Sequence, residues 1–230
     1  MPTDCDAIVV SDLHLGRPGK SRPKQVRRFF EALADGRFEW RPARVVLAGD
    51  VFEDLDLRHW PDSHWQALAA IRKVERSIPV AWVRGNHDGP FDAVEFMAWR
   101  PDLAEPVGAD IRSGDTRVLV THGKWEAKWA DDPRTTVTHR EATEKLRDQW
   151  AGYDRHGLRE AVAVARGAVT YARLKGFDAV VCGHTHGPFC GTLDGFPYAN
   201  AGSWTKGQTP TFVTLAGGSF AVRRYEPAAD

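Results

Sequence analysis

Five short apolar runs recur along the chain, and each is followed at once by polar residues. They are AIVVSDLHL (7–15), ARVVLAGDVF (43–52), PVAWVRGNHD (79–88), TRVLVTHG (116–123) and FDAVVCGHTH (177–186). Apolar runs of this length between turn residues are typical of buried β-strands. The pattern therefore predicts five buried strands.

Helical periodicity fills the segments between these strands. Apolar residues fall at helical spacing near 26–33 and 64–76, a short helical segment is expected near 91–99, and a longer section spans roughly 138–176 with breaks at Gly152 and Gly157. The tail from GTLDGFPYANAGSW onward has turn residues between short runs, which predicts antiparallel strands. Alternating strands and helices with a β-rich end predict an α/β sandwich in one domain, 1–230.

All five runs end in the same kind of chemistry. The side chains that follow them are carboxylates, imidazoles and one amide: Asp12, His14, Asp50, Asn86, His87, His122, His184 and His186. In open α/β sheets, ligand sites lie beyond the carboxyl ends of strands, so these side chains are predicted to converge on one rim. Each residue alone has an ordinary explanation as a turn residue. The repetition of such side chains at the ends of all five predicted strands favours a functional site.

The pair His184 and His186 leaves two interpretations open when it is taken alone. Along an extended backbone, residues two apart point to the same side, so both imidazoles can face one metal ion. The alternative is a glycine-rich turn with two solvated histidines. The full donor set favours metal, because mixed oxygen and nitrogen donors suit Mn, Fe or Zn better than Ca or Mg alone. The donors suffice for two ions that share a carboxylate, an arrangement that promotes displacement at phosphorus.

The composition bears on nucleic-acid binding, on the redox compartment and on membrane insertion. The 230 residues include 31 basic and 31 acidic side chains, and this balance gives no overall field that attracts nucleic acid. Cys5, Cys182 and Cys190 have no CxxC spacing and are odd in number, which favours free thiols in a reducing compartment. No apolar run reaches the length of a membrane span, and the N-terminus lacks a signal-like pattern. We expect a soluble cytoplasmic protein, with peripheral contact to a membrane left open.

The motifs resemble those of the calcineurin-like metallophosphoesterases. The family pattern is D-x-H, G-D, G-N-H-D/E, H-G and G-H-x-H, and here it stands as DLH (12–14), GD (49–50), GNHD (85–88), HG (122–123) and GHTH (183–186). The elements occur in the family's order, and none is missing. The resemblance implies the metallo-dependent phosphatase fold, in which two facing mixed β-sheets are flanked by helices. It also implies hydrolysis at phosphorus by a metal-bound hydroxide.

The resemblance further implies a role for each residue. Asp12, His14 and His186 would hold one metal ion, Asn86, His122 and His184 the other, and Asp50 would bridge both. The expected ions are two Mn²⁺, with Fe, Zn or Ni as alternatives. His87 would act near the leaving oxygen as an acid or a phosphate contact, oriented by Asp88. Arg84, Lys124 and Lys128 are further candidates for contacts to phosphate.

Within the family, the chain is similar to the UDP-2,3-diacylglucosamine pyrophosphatases in length, in SDLHLG, GDVFE and NAGSW, and in a helical insertion at about 124–176. That similarity implies a lid over a lipid-linked substrate. The candidates for lining it are Trp125, Trp129, Trp150, Val162, Val164 and Val169, and their alternative role is packing of the insertion onto the domain. The sequence departs from that group at His87, where Arg is usual, and at Lys124, where Asp is usual.

Several alternatives therefore stay open. A phosphatase or phosphodiesterase acting on a phosphorylated small molecule is one, and a nuclease or a cyclic-nucleotide phosphodiesterase is another. A nuclease would be expected to carry a basic groove. A non-catalytic scaffold of this fold would have eroded metal positions, whereas all are intact here. The oligomeric state is left open. The remaining histidines His59, His64, His139 and His156 are expected at surface or helix positions, and Cys182 and Cys190 as small buried thiols.

Overall fold

Two β-sheets pack face to face in the computed structural model, which describes residues 2–89, 102–103 and 108–227. The first half of the chain contributes β1 (Thr3–Cys5), β2 (Ala7–Val10), α1 (Pro23–Ala34), β3 (Trp40–Pro42), β4 (Val45–Ala48), α2 (Asp62–Glu75) and β5 (Val80–Val83). The second half contributes β6 (Asp102–Leu103), β7 (Ala109–Ser113), β8 (Thr116–Val120), α3 (His139–Gln149), α4 (Arg155–Leu174), β9 (Ala179–Cys182), β10 (Phe189–Leu193), β11 (Phe196–Asn200), β12 (Thr211–Ala216) and β13 (Ser219–Arg224). Short 3-10 helices span Leu57–His59 and Glu126–Asp131.

Both large sheets are mixed. The six-stranded sheet has the order β13-β12-β2-β4-β5-β6, with β2, β4, β5 and β6 parallel and β12 antiparallel to its neighbours. The five-stranded sheet has the order β10-β11-β9-β8-β7, with β11, β9 and β8 parallel between antiparallel edge strands. β1 and β3 form a separate parallel pair. The carboxyl ends of the parallel strands bring five polar loops together.

Strand alternation divides the apolar residues into three layers. On β2, Ile8 and Val10 pack in the cluster that includes α1 and α2, whereas Ala7 and Val9 pack between the two sheets. The third layer lies between the five-stranded sheet and α4. The order is helix, sheet, sheet, helix, which is the metallophosphoesterase fold and confirms the predicted class.

The five predicted strands are present, but each ends before its polar residues. β2 stops at Val10 and β9 at Cys182. Asp12 and His184 have φ angles of 56° and 68°, which a strand does not accommodate. The interpretation of His184 and His186 as alternating along an extended backbone is therefore wrong.

The predicted helical section near 138–176 is two helices separated around Gly152, as expected. The predicted break at Gly157 is wrong, because this residue lies in the first turn of α4, where its N–H donates to the side chain of Asp154 at 2.7 Å. The segment predicted near 91–99 lies outside the described residues. None of the described helices is long and apolar enough to cross a membrane.

The two helices of the insertion cover the outer face of the five-stranded sheet. Val162, Val164 and Val169 are buried there, in one cluster with Leu119 and Val180. Packing onto the domain thus accounts for these three valines.

Candidate metal centre

The predicted ligands gather at the carboxyl ends of β2, β4, β5, β8 and β9. Six described non-glycine residues have positive φ, and five of them are predicted ligands: Asp12, His14, Asp50, His184 and His186. Such a conformation costs an L-residue about 1–2 kcal/mol. Strain of this kind is concentrated at functional sites, where the surrounding structure enforces an exact direction for a side chain.

The first donor group consists of Asp12, His14 and His186. Oδ1 of Asp12 lies 3.1 Å from Nε2 of His186 and 3.6 Å from Nε2 of His14, and the two nitrogens are 3.2 Å apart. Oδ2 of Asp12 accepts hydrogen bonds from the Ser11 hydroxyl and, at 2.9 Å, from the His184 N–H. Oδ1 is buried and makes no hydrogen bond. A buried carboxylate oxygen facing two imidazole nitrogens fits a metal ion.

The second donor group consists of Asp50, His122 and His184, with Asn86 beside it. Nε2 of His122 lies 3.3 Å from Oδ2 of Asp50 and 3.1 Å from Oδ1 of Asn86. The same Oδ2 of Asp50 is 3.9 Å from Nε2 of His14 in the first group. Asp50 therefore stands between the two groups, as a bridging ligand would.

Two of the histidines are held by oxygens on their outer side. Nδ1 of His14 is 2.6 Å from Oε2 of Glu53, and Nδ1 of His122 is 2.9 Å from the Ala48 carbonyl. A carboxylate and a carbonyl only accept, so each Nδ1 carries a proton and each Nε2 is the nitrogen that faces the site. The geometry is that of histidines prepared for metal.

Glu53 is a functional residue that sequence reasoning missed. Its Oε1 accepts a hydrogen bond from Lys20 at 2.7 Å, and its Oε2 lies 3.3 Å from Nδ1 of His87 as well as beside His14. The sequence feature that could have marked Glu53 is its position three residues after Asp50, within GDVFE.

The carboxylates and histidines of the site favour each other's charged forms. Burial opposes ionisation of Asp12, but His186 and His14 outweigh it and hold its pKa well below the usual value. Burial likewise opposes ionisation of Asp50, and the hydrogen bond with His122 lowers its pKa. For His122, burial favours the neutral form, but Asp50 and Asp12 raise its pKa to about 9. Both carboxylates are thus held ionised beside the donor nitrogens.

His87 lies at the rim with 39% of its side chain exposed, and its ring centroid is 5.2 Å from that of His14. Asp88 does not pair with it. Its oxygens instead accept the backbone N–H groups of Asp50, Phe52 and Gly85 at 2.9, 2.9 and 2.6 Å, because Asp88 is buried beneath this loop. Burial raises the pKa of Asp88 to about 6. The expectation that Asp88 orients His87 is corrected: Glu53 is the carboxylate beside that ring.

The tryptophans of the insertion occupy different surroundings. Trp125 is 39% exposed, and its ring centroid is 6.2 Å from that of His122, at the rim of the site. Trp129 packs on Tyr171 with centroids 5.6 Å apart, so its role is packing. Cys182 is buried as expected. His64 lies on a helix, α2, as expected, and it is buried there, with its Nδ1 accepting the N–H of Gly16 at 2.9 Å.

A family model described as Calcineurin-like phosphoesterase matches residues 7–188. The chain belongs to the calcineurin-like phosphoesterase family. The matched range contains all seven predicted metal ligands. A comparison with curated proteins gives no match.

Solved structures agree on the fold of this calcineurin-like phosphoesterase. A hypothetical protein from Pyrococcus horikoshii is 10% identical with a TM-score of 0.54, covering 99% of this chain and 89% of that one. Vacuolar Protein Sorting 29 from Cryptosporidium parvum is 16% identical with a TM-score of 0.51, covering 96% and 97%. Similarity at these identities concerns the fold alone.

Proposed function

We propose that this calcineurin-like phosphoesterase hydrolyses phosphate esters with two divalent metal ions held by the seven predicted ligands. The observation that carries the proposal is the position of Asp50 Oδ2, within 3.3 Å of His122 Nε2 and 3.9 Å of His14 Nε2, between two separate donor groups. Two bound ions would supply Lewis acidity toward a phosphoryl oxygen and activation of water. Every ligand position is occupied by a suitable donor, which argues against a non-catalytic scaffold.

His87 is the residue we assign to the leaving group. Its backbone N–H donates to Oδ1 of Asp50 at 2.8 Å, which fixes the residue beside the donor groups, and its exposed ring is open to a substrate. The ring would deliver a proton to the leaving oxygen, and Glu53 would hold it in position. Proton transfer from a positioned side chain contributes about 10²–10⁴-fold.

The metal we propose is Mn²⁺, with Fe, Zn and Ni as alternatives. Carboxylate, amide and imidazole donors together suit these ions, and no thiolate is among the ligands. Cys5, Cys182 and Cys190 are free thiols, which supports the proposed cytoplasmic location.

The bond class we propose is a phosphodiester, a phosphomonoester or a pyrophosphate. The exposed Trp125 beside the second donor group supports a substrate with an apolar or aromatic portion next to its phosphate. UDP-2,3-diacylglucosamine meets that description, as do cyclic nucleotides. We therefore keep the lipid-linked compound as one substrate to test.

The test is a substrate panel with Mn²⁺-reconstituted protein. The panel contains bis-p-nitrophenyl phosphate, p-nitrophenyl phosphate, cyclic nucleotides, single-stranded DNA and UDP-2,3-diacylglucosamine. We expect metal-dependent turnover of at least one compound, loss of it in Asp50→Asn, and retention in Asp4→Asn, an exposed aspartate paired with Arg41. Protein that carries two metals and hydrolyses none of these substrates would contradict the proposed function and favour a scaffold.

A further inference from the structure

The insertion supplies a further carboxylate contact on a site histidine. Glu160 lies on α4, and its Oε1 is 3.0 Å from Nε2 of His184. The same oxygen accepts a hydrogen bond from Nζ of Lys124, also at 3.0 Å. No motif marks Glu160, which stands 24 residues before His184.

This contact determines which nitrogen of His184 is available to a metal. An ionised carboxylate only accepts hydrogen bonds, so Nε2 of His184 carries the proton and Nδ1 keeps its lone pair. The arrangement repeats the His14–Glu53–Lys20 set, in which the histidine contact is 2.6 Å and the lysine contact 2.7 Å.

The backbone that carries Glu160 is rigid. Its neighbours on α4, Ala161 and Val164, are buried against the five-stranded sheet. Gly123 follows the ligand His122, and a Cβ there would lie 2.8 Å from Cγ1 of Val164, so strand end and helix pack closely. The Cα of Glu160 therefore has a defined position relative to the strand end that carries His122.

We propose that Glu160 is a positioning residue for the second metal site, supplied by the helical insertion and reinforced by Lys124. The inference rests on the proposed two-metal centre. Glu160 would set the orientation and the tautomer of His184, and the insertion would thereby take part in metal binding. An ordinary exposed ion pair between Lys124 and Glu160 would contribute only about 0–1 kcal/mol and would not affect metal.

The experiment measures metal binding and uses Glu160→Ala and Glu160→Gln. Mn²⁺ is titrated against a competing chelator, and electron paramagnetic resonance separates single from coupled ions. We expect the affinity for one of the two ions to fall about 10–100-fold in Glu160→Ala, with a smaller loss in Glu160→Gln, which keeps an acceptor oxygen. The matched control is Glu144→Ala on α3, an exposed glutamate paired with Arg140, which should bind both ions as wild type does.

Comparison with Glu53→Gln identifies the affected site. Because Glu53 contacts His14 and Glu160 contacts His184, the two variants should weaken different ions, and the double variant should weaken both. Unchanged affinity in Glu160→Ala, or equal weakening of both ions, would overturn the inference. Two metals bound without hydrolysis would contradict the proposed function alone. Wild-type protein that binds no Mn²⁺ would contradict both.

Discussion

Glu53→Gln tests whether the outer partner of His14 sets the affinity of the first metal ion. Only 6% of the Glu53 side chain is exposed, and its two oxygens separately contact His14 Nδ1 at 2.6 Å and Lys20 Nζ at 2.7 Å. Glutamine keeps the shape of the side chain but removes the negative charge and one acceptor oxygen. Either His14 or Lys20 then loses its partner, or the two compete for one oxygen.

The magnitude follows from the kind of bond that is lost. A hydrogen bond involving a charged group contributes about 1.5–3 kcal/mol. Since about 1.4 kcal/mol corresponds to a factor of ten, the expected loss of Mn²⁺ affinity is roughly 10–100-fold. The same range is typical when the outer partner of a metal-bound histidine is removed.

The assay for Glu53→Gln is a two-step Mn²⁺ titration monitored by a fluorescent competing chelator, with the thermal midpoint recorded alongside. The matched control is Glu31→Gln on α1, an exposed glutamate that pairs with Arg27 and should change neither step. One weakened step with an unchanged second step is the expected result. Wild-type affinities in Glu53→Gln would contradict this prediction, because the His14 contact would then have no effect on the metal.

Three further outcomes are expected. His87→Ala should keep both metals yet lose about 10²–10⁴-fold in turnover. The loss should be smaller for substrates whose leaving groups need little protonation, and kinetics with two aryl esters that differ in their leaving group would measure it. Trp125→Ala should raise KM for a large substrate and leave the hydrolysis of a small aryl phosphodiester unchanged. Trp129→Ala removes packing on Tyr171, so it should lower the thermal midpoint instead. Burial raises the pKa of Glu126, so above the usual glutamate pKa the folded chain holds a proton that the unfolded chain has lost. The free energy of unfolding therefore falls as the pH rises above that value. Glu126→Gln should flatten this fall when thermal unfolding is measured across pH.

Much of the site follows from the sequence because strand ends are local features. A short apolar run followed by polar residues predicts both the strand and the edge at which its side chains lie, and parallel strands bring those edges together. Thus Asp12, Asp50 and His122 could be placed at one rim before the fold was known. Their division into two donor groups came from the family resemblance, and the structure gathers the same residues.

The partners behind the ligands could not be predicted in the same way. Glu160 lies in a helix far from any motif, and its contact with His184 depends on how α4 packs on the sheet. Asp88 was expected to act through its neighbour His87, but burial turned its carboxylate toward three backbone amides. The strand boundaries were misplaced because positive φ angles depend on tertiary constraint, which hydrophobic pattern does not encode.

The most direct test of the central claim is an anomalous difference map from a crystal grown with Mn²⁺, measured at the manganese edge. We expect two peaks about 3.5–4 Å apart, the usual spacing in two-metal sites, with the carboxylate of Asp50 between them. Asp12, His14 and His186 should surround one peak, and Asn86, His122 and His184 the other. A single peak, or peaks away from Asp50, would contradict the two-metal centre on which the proposed hydrolysis depends.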